Sequence, residues 1–248
     1  MRSHRDRVEV ERLTAAGLSD YEVSRRTGVA RSTVQRWRTA GGPDAPARGC
    51  PVCDREGQLP HPAYAYLLGL YLGDGWIGGH RRGVHRLNIY LDARYPNIID
   101  ECAAAMAAVR PGQRPDRYEK PSAEMVIVRM YSRHWPCLFP QHGAGPKHTR
   151  RIALADWQRT VAEAHPEALL RGLIHSDGCR VTNRATMPKK TYFYPRYQFS
   201  NRSQDIHAIF RDACDRVGVE WRASGQYTTN VSRRRSVEEL DRFIGPKS

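Results

Sequence analysis

Nowhere in these 248 residues does an apolar run last long enough to cross a bilayer. The longest, residues 63–73, makes about three turns of helix, roughly half of a membrane span. A secretory signal is missing as well, since no charged segment followed by an apolar one opens the chain. Acidic side chains are in short supply: 26 Asp and Glu face 40 Lys and Arg, a formal charge of +14, with a pI near 9.9. Such a balance points to a polyanion, although charge alone does not separate nucleic acid from an anionic membrane. A disulfide framework is not indicated either. Six cysteines stand at 50, 53, 102, 137, 179 and 214, and without a secretory context they read as reduced thiols or metal ligands. There is no Cys or Ser at position 1 and no terminal His-Asn, so an intein is not expected. The expectation is a free-standing, soluble, cytoplasmic protein.

Three short helical patterns fill residues 5–39, separated by turn chemistry at Gly17-Leu18-Ser19 and Thr27-Gly28-Val29. Val8, Val10 and Leu13 give the first an inward face. Ser19 or Asp20 can cap the second, where Val23 and Ser24 face inward, and Gly28 permits the turn before the third. Residues 30–39 turn Val34 and Trp37 to the core. Arg31, Ser32, Thr33, Gln35, Arg36 and Arg38 are left outward, a composition suited to base edges and phosphates. The segment GLSDYEVSRRTGVARSTVQRWR resembles the helix-turn-helix of resolvase-type and transposase-type modules. A three-helix protein-interaction module is the alternative.

Residues 43–62 are rich in Gly, Pro, Ala and Asp and read as a linker between a first domain at 1–42 and a second at 63–248. Inside the linker, Cys50 and Cys53 have the spacing of half a structural zinc site. Two more ligands are needed. His61 is close, and His134 with Cys137 repeats the spacing far along the chain. Two unrelated thiols or a vestigial knuckle is the simpler reading, and zinc is left open.

The most informative feature is an internal repeat. One helical run ends Leu67-Leu68-Gly69-Leu70-Tyr71-Leu72-Gly73-Asp74-Gly75, and another ends Leu170-Arg171-Gly172-Leu173-Ile174-His175-Ser176-Asp177-Gly178. Both fit L-x-G-L-x-x-small-D-G, with the acids 177 − 74 = 103 residues apart. After the first copy come strand-like runs at 76–77 and 86–91, a helix at 95–109 and a strand at 125–131. After the second come strands at 179–182 and 194–200, a helix at 204–217, strands at 220–227 and 230–234, and a closing helix at 237–244. Each half, 63–165 and 166–248, therefore reads as roughly αββαββα. Gly69 and Gly73, like Gly172 and Ser176, lie four apart on one helix face, so two helices can meet backbone to backbone. That contact brings Asp74 and Asp177 together at two helix C-termini. Paired carboxylates there repel unless a cation lies between them. Each following glycine reads as the helix stop.

These motifs resemble the LAGLIDADG homing endonucleases over about three quarters of the chain. The resemblance implies an α+β fold of two pseudo-symmetric halves with saddle-like antiparallel sheets, preceded by the three-helix module. It implies Asp74 and Asp177 as catalytic acids holding Mg²⁺ together with the carbonyls of Gly73 and Ser176. Lys147, in Gly145-Pro146-Lys147-His148, takes the place of a basic group that polarises the site; the second half shows Arg233, Arg234 and Arg235 but no obvious lysine. Double-stranded DNA is the implied partner, bound by a monomer with internal two-fold pseudosymmetry, which would place the protein at the nucleoid. Arg82, Arg86, Arg129, Lys189, Arg196, Arg222, Arg233 and Arg235 are the expected DNA-contacting residues on β-ribbons. The leading functional expectation is a site-specific, Mg-dependent endonuclease. A DNA-binding regulator on the same scaffold without cleavage is the alternative, and an RNA-binding maturase a third reading.

Overall fold

The computed structural model describes residues 4–39, 50–53, 58–187, 190–245 and 247. Two compact units emerge, residues 1–47 and 48–248. Most of the expected linker, 43–49 and 54–57, lies outside the described residues, as does Lys189. Among the described residues no helix is long and apolar enough to cross a membrane.

The first unit is α1 (His4–Ala15), α2 (Asp20–Thr27) and α3 (Arg31–Thr39). Ser19 caps α2 reciprocally: its hydroxyl accepts the Glu22 N–H, and the Glu22 carboxylate accepts the Ser19 N–H. Gly28, at φ 67°, ends α2 in the left-handed region that a Cβ would strain. Val10, Leu13, Val23, Val29 and Val34 form the core. Val8 does not join them; at 50% exposure it sits two residues from Val10, which on a helix is the opposite side. Arg38 is held inside the unit, donating to the Leu18 carbonyl and pairing with Asp20.

The second unit repeats one pattern. Its first half runs α4 (His61–Asp74), β1 (Gly75–Gly79), β2 (His85–Asp92), α5 (Pro96–Val109), β3 (Asp116–Lys120), β4 (Met125–Ser132), then α6 (Trp135–Leu138) and α7 (Asp156–Ala164). The second half runs α8 (Pro166–Asp177), β5 (Gly178–Met187), β6 (Lys190–Ser200), α9 (Gln204–Arg216), β7 (Arg222–Ala223), β8 (Thr228–Val231) and α10 (Arg234–Phe243). Both sheets are antiparallel with the same order, β1-β2-β4-β3 and β5-β6-β8-β7. This is the α+β repeat of two αββαββα halves behind a three-helix unit that the sequence predicts.

Details differ where pattern and environment diverge. β3 escapes a hydrophobicity reading because Asp116–Lys120 is an edge strand exposed at every position. Residues 220–227 pair only at Arg222–Ala223, because the chain then turns through Gly225 at φ 75° and Ser224 bonds back to Thr228. β8 stops at Val231, and Arg233 is the N-cap of α10. Arg233 and Arg235 therefore flank and enter a helix instead of lying on a ribbon.

α4 is buried continuously from Tyr64 to Leu72. It packs on α8, α5, α7 and the first sheet at once, so it needs no polar face. This central pair of helices fixes the candidate site.

Candidate active site

α4 and α8 meet through glycine. A Cβ built on Gly69 would lie 2.5 Å from the Leu169 carbonyl oxygen and 2.7 Å from the Leu173 nitrogen; one on Gly172 would fall onto the Tyr66 carbonyl. Gly73 faces Ser176, whose hydroxyl lies 3.0 Å from the Gly172 and Leu173 carbonyls of its own helix. All four expected interface residues thus line the contact. The helix ends are a different matter. Gly75 (φ −90°) and Gly178 (φ −111°) are the expected helix stops, but they end their helices in extended conformation and not in the left-handed region. Each helix runs straight into a strand, and glycine is needed because a Cβ would crowd Tyr71 or Ile174 of the preceding turn.

At this junction Asp74 and Asp177 come together. Burial raises the Asp74 carboxyl to about 7, with the Asp177 charge adding to the effect and Lys147 and Lys247 opposing it. Burial also raises Asp177, against the Asn201 amide, which donates to its Oδ2 at 2.5 Å, and against the same two lysines. Among the described residues no hydrogen bond reaches the Asp74 carboxylate. Lys147 donates to the carbonyls of Gly73 at 3.0 Å and Gly75 at 2.6 Å, over the Tyr71 ring. The Gly73 carbonyl expected to face a metal therefore carries an ammonium contact. Burial lowers Lys147 to about 8 despite both acids. Its loop is held by a polar chain: Tyr64 donates to the Leu138 carbonyl and accepts from Gln158, which in turn meets Gln141.

Lys247 is the lysine that sequence reasoning missed. It donates to the Gly178 carbonyl, the counterpart of Gly75, and burial lowers its pKa against the pull of Asp74 and Asp177. Arg171 of α8 donates to the Phe243 and Ile244 carbonyls while pairing with Glu101, and His175 bridges Tyr66 and the Ile244 carbonyl. These contacts anchor the segment that carries Lys247. A signal was present: Gly145-Pro146-Lys147 recurs as Gly245-Pro246-Lys247, and Gly145 and Gly245 adopt φ 76° and 70°. Asn201 has no such signal. Aligning the halves on the pairs Gly75–Ile89 and Gly178–Phe199 puts Leu91 at its equivalent position, so the site is symmetric in Asp and Lys but not in this amide.

A cleft of about 410 Å³ opens here, lined by Gly73, Lys147, His148, Asp177, Ser200, Asn201, Arg202 and Tyr227 among others. Cys50 and Cys53 are not among its lining residues.

Each sheet turns one face to its helices and leaves the other open. In the first, Leu87, Ile89, Val126, Val128 and Met130 are buried, and Trp76, Arg86, Arg129 and Tyr131 occupy the alternate register around Asn88, which is itself buried. In the second, Tyr197 and Phe199 are buried, and Arg196, Gln198, Asn230 and Arg222 share the other face. Arg196 Nε and Asn230 Oδ1 on this face are buried without a hydrogen-bond partner. Arg129 is paired with Asp116 and lies over Tyr118, so its charge is partly spent. Arg82 is exposed in the β1–β2 turn at φ 59°. Arg233 pairs with Glu220, and Arg235 is exposed on α10. In the first unit Arg31, Ser32 and Gln35 are exposed on α3, Thr33 is half-buried, and the Arg36 side chain lies outside what is described.

Residues 1–47 match a family described as a homeodomain-like domain. No curated protein matches the chain. Among solved structures it is similar to the LAGLIDADG homing endonuclease I-LtrWI bound to target DNA, at 9% identity and TM-score 0.46, over 74% of this chain and 81% of that one. It is also similar to I-DmoI in complex with DNA and Mn, at 13% identity and TM-score 0.48, over 75% and 98%. A third is the N-terminal LAGLIDADG domain of DUF199/WhiA, at 12% identity and TM-score 0.44, over 75% and 83%.

Two half-buried carboxylates with raised pKa values are acids whose cationic surroundings do not fully compensate them, even with two lysines present. Hard oxygen donors in that state suit a hard divalent cation. The donor set therefore fits Mg²⁺ or a similar ion, which would be held by Asp74 and Asp177.

Proposed function

We propose that the protein is a double-stranded DNA endonuclease of LAGLIDADG homing type, dependent on a divalent cation. The two-fold arrangement of Asp74 with Lys147 and Asp177 with Lys247, set by the glycine contact of α4 and α8, carries this reading. Asp74 and Asp177 would hold the divalent cation, which when bound would supply Lewis-acid stabilisation and a more acidic water. The chain's own groups do the rest. The carboxylates hold negative charge at the junction, and Asn201 fixes the orientation of one of them. Lys147 and Lys247, with lowered pKa values, supply positive charge beside the acids, which would stabilise charge developing on a phosphate. The open sheet faces position the duplex through Arg86, Arg196 and Arg222, and the first unit adds contacts through α3, reading flanking sequence or adding affinity.

The test is to incubate the full chain with Mg²⁺ and a plasmid library carrying a randomised insert, and to sequence the linear products. Double-strand ends at one shared sequence, absent in EDTA, are expected. DNA that is bound selectively and never cut would replace this reading with that of a regulator on the same scaffold.

A further inference from the structure

On the second unit, away from the residues lining the acid-pair cleft, the turn ending at Cys53 and the short helix α6 bring four ligand atoms together. Cys50, Cys53, His134 and Cys137 each offer one, and all lie within 4.8 Å of one another. Cys53 Sγ is 3.3 Å from His134 Nδ1. Bonds of about 2.3 Å from zinc to sulfur and about 2.0 Å to nitrogen place ligands of a tetrahedron roughly 3.5–3.8 Å apart, so the cluster is already close to that size. Two matched arms build it. Cys50 and Cys53 are separated by two residues on a turn, and His134, the N-cap of α6, is separated by two residues from Cys137 within its single turn, a spacing that shares one helix face.

We propose that these four residues bind one structural zinc ion. Three soft thiolates and an imidazole select zinc over magnesium. Four protein ligands close the coordination sphere, leaving no position for substrate, so the site is structural and not catalytic. Binding releases three thiol protons to solvent while the imidazole binds neutral. A cysteine–histidine nucleophile would need only Cys53 and His134; two further sulfurs converging on the same point have no role in that chemistry. The ion joins the segment entering α4 to the helix after β4, across 134 − 53 = 81 residues of chain. α6 also gives the Leu138 carbonyl that accepts from Tyr64 of α4, so the zinc site braces the frame from which the Lys147 loop hangs.

The experiment uses the full chain without a metal-binding tag, exhaustively dialysed and analysed by inductively coupled plasma mass spectrometry. About one zinc per chain is expected, retained when Asp74→Asn and Asp177→Asn are combined and lost in Cys50→Ser and Cys137→Ser. Because the cysteine variants can fail to fold, parent protein stripped of metal under reducing conditions is titrated with Co²⁺. Intense visible d–d bands with a thiolate charge-transfer band in the near ultraviolet, saturating at one equivalent and abolished by Zn²⁺, are the expected signature. Substoichiometric zinc together with no tetrahedral Co²⁺ spectrum would overturn the proposal, as would recovery of Cys50, Cys53 and Cys137 in disulfides from protein kept reduced throughout purification. Zinc lost with the Asp74 and Asp177 changes would assign the ion to the acid pair and equally overturn it.

Discussion

Replacing Gly172 by alanine should pull apart the helix pair on which the whole site is built. The added methyl falls onto the Tyr66 carbonyl oxygen and lies 3.0 Å from Gly69 Cα and from the Leu70 nitrogen. All three are backbone atoms within a buried helix, so no side-chain rotation relieves the contact. α4 and α8 must move apart, at an overpacking cost of about 1–3 kcal/mol toward its upper end. Alanine returns up to about 1 kcal/mol in helix propensity, which leaves a net loss of roughly 1–2 kcal/mol. For a unit of this size that lowers the melting temperature by roughly 2–8 °C. Gly79→Ala is the control. Nothing lies within 4 Å of its Cβ and its φ is not positive, so it should stay within about 0.5 kcal/mol of the parent. Calorimetry on both proteins, paired with single-turnover cleavage, reads the result. Because Asp74 and Asp177 each sit five residues, about one and a half turns, beyond Gly69 and Gly172, an ångström of separation should reduce cleavage by up to ~100-fold. A Gly172→Ala protein that melts with the parent and cuts as fast would refute the close helix contact.

Asp74 has a folded pKa of about 7 against 3.8, so its contribution to stability is complete below pH ~4 and is lost progressively as pH rises to ~7. In EDTA the parent should therefore weaken between pH 5 and 8 while Asp74→Asn does so much less, and Mg²⁺ should raise the parent's melting temperature far more at pH 8 than at pH 5; equal pH profiles would count against the buried acid. Lys247→Met should slow cleavage by about 10²-fold with DNA affinity nearly unchanged, and an unaltered rate would remove this lysine from the site. Arg31→Ala on the exposed face of α3 should weaken DNA binding and reduce the slope of log Kd against log salt by about 1; an identical slope would mean that this arginine does not meet phosphate.

The paired motifs made the central architecture legible because their glycines are fixed by backbone contact, which tolerates few substitutes. Strand edges were less readable. Asp116–Lys120 pairs on one side only and meets solvent on both faces, so no hydrophobic pattern marks it. The arginines at 233–235 look like the end of a strand in sequence, yet the chain leaves the sheet at Val231. Lys247 lay open to view in the repeated Gly-Pro-Lys, but it follows a terminal helix, where the second half was not expected to supply a loop. Cys50 with Cys53 and His134 with Cys137 show matching spacings in the sequence, but that the two pairs meet is set by tertiary structure alone. Asn201 breaks the pseudosymmetry and has no counterpart that could have announced it.

The central claim is that two symmetry-related acids form one cation-dependent centre on a DNA-binding surface. Its most direct test is to select the preferred DNA and measure, side by side, affinity in Ca²⁺ and cleavage in Mg²⁺ for the parent, Asp74→Asn and Asp177→Asn. Each change removes a metal-ligating charge without altering side-chain volume, so both variants should bind within a few-fold of the parent and lose cleavage of at least one strand by ~10³-fold or more. Variants that still cut both strands at the parental rate would contradict the account.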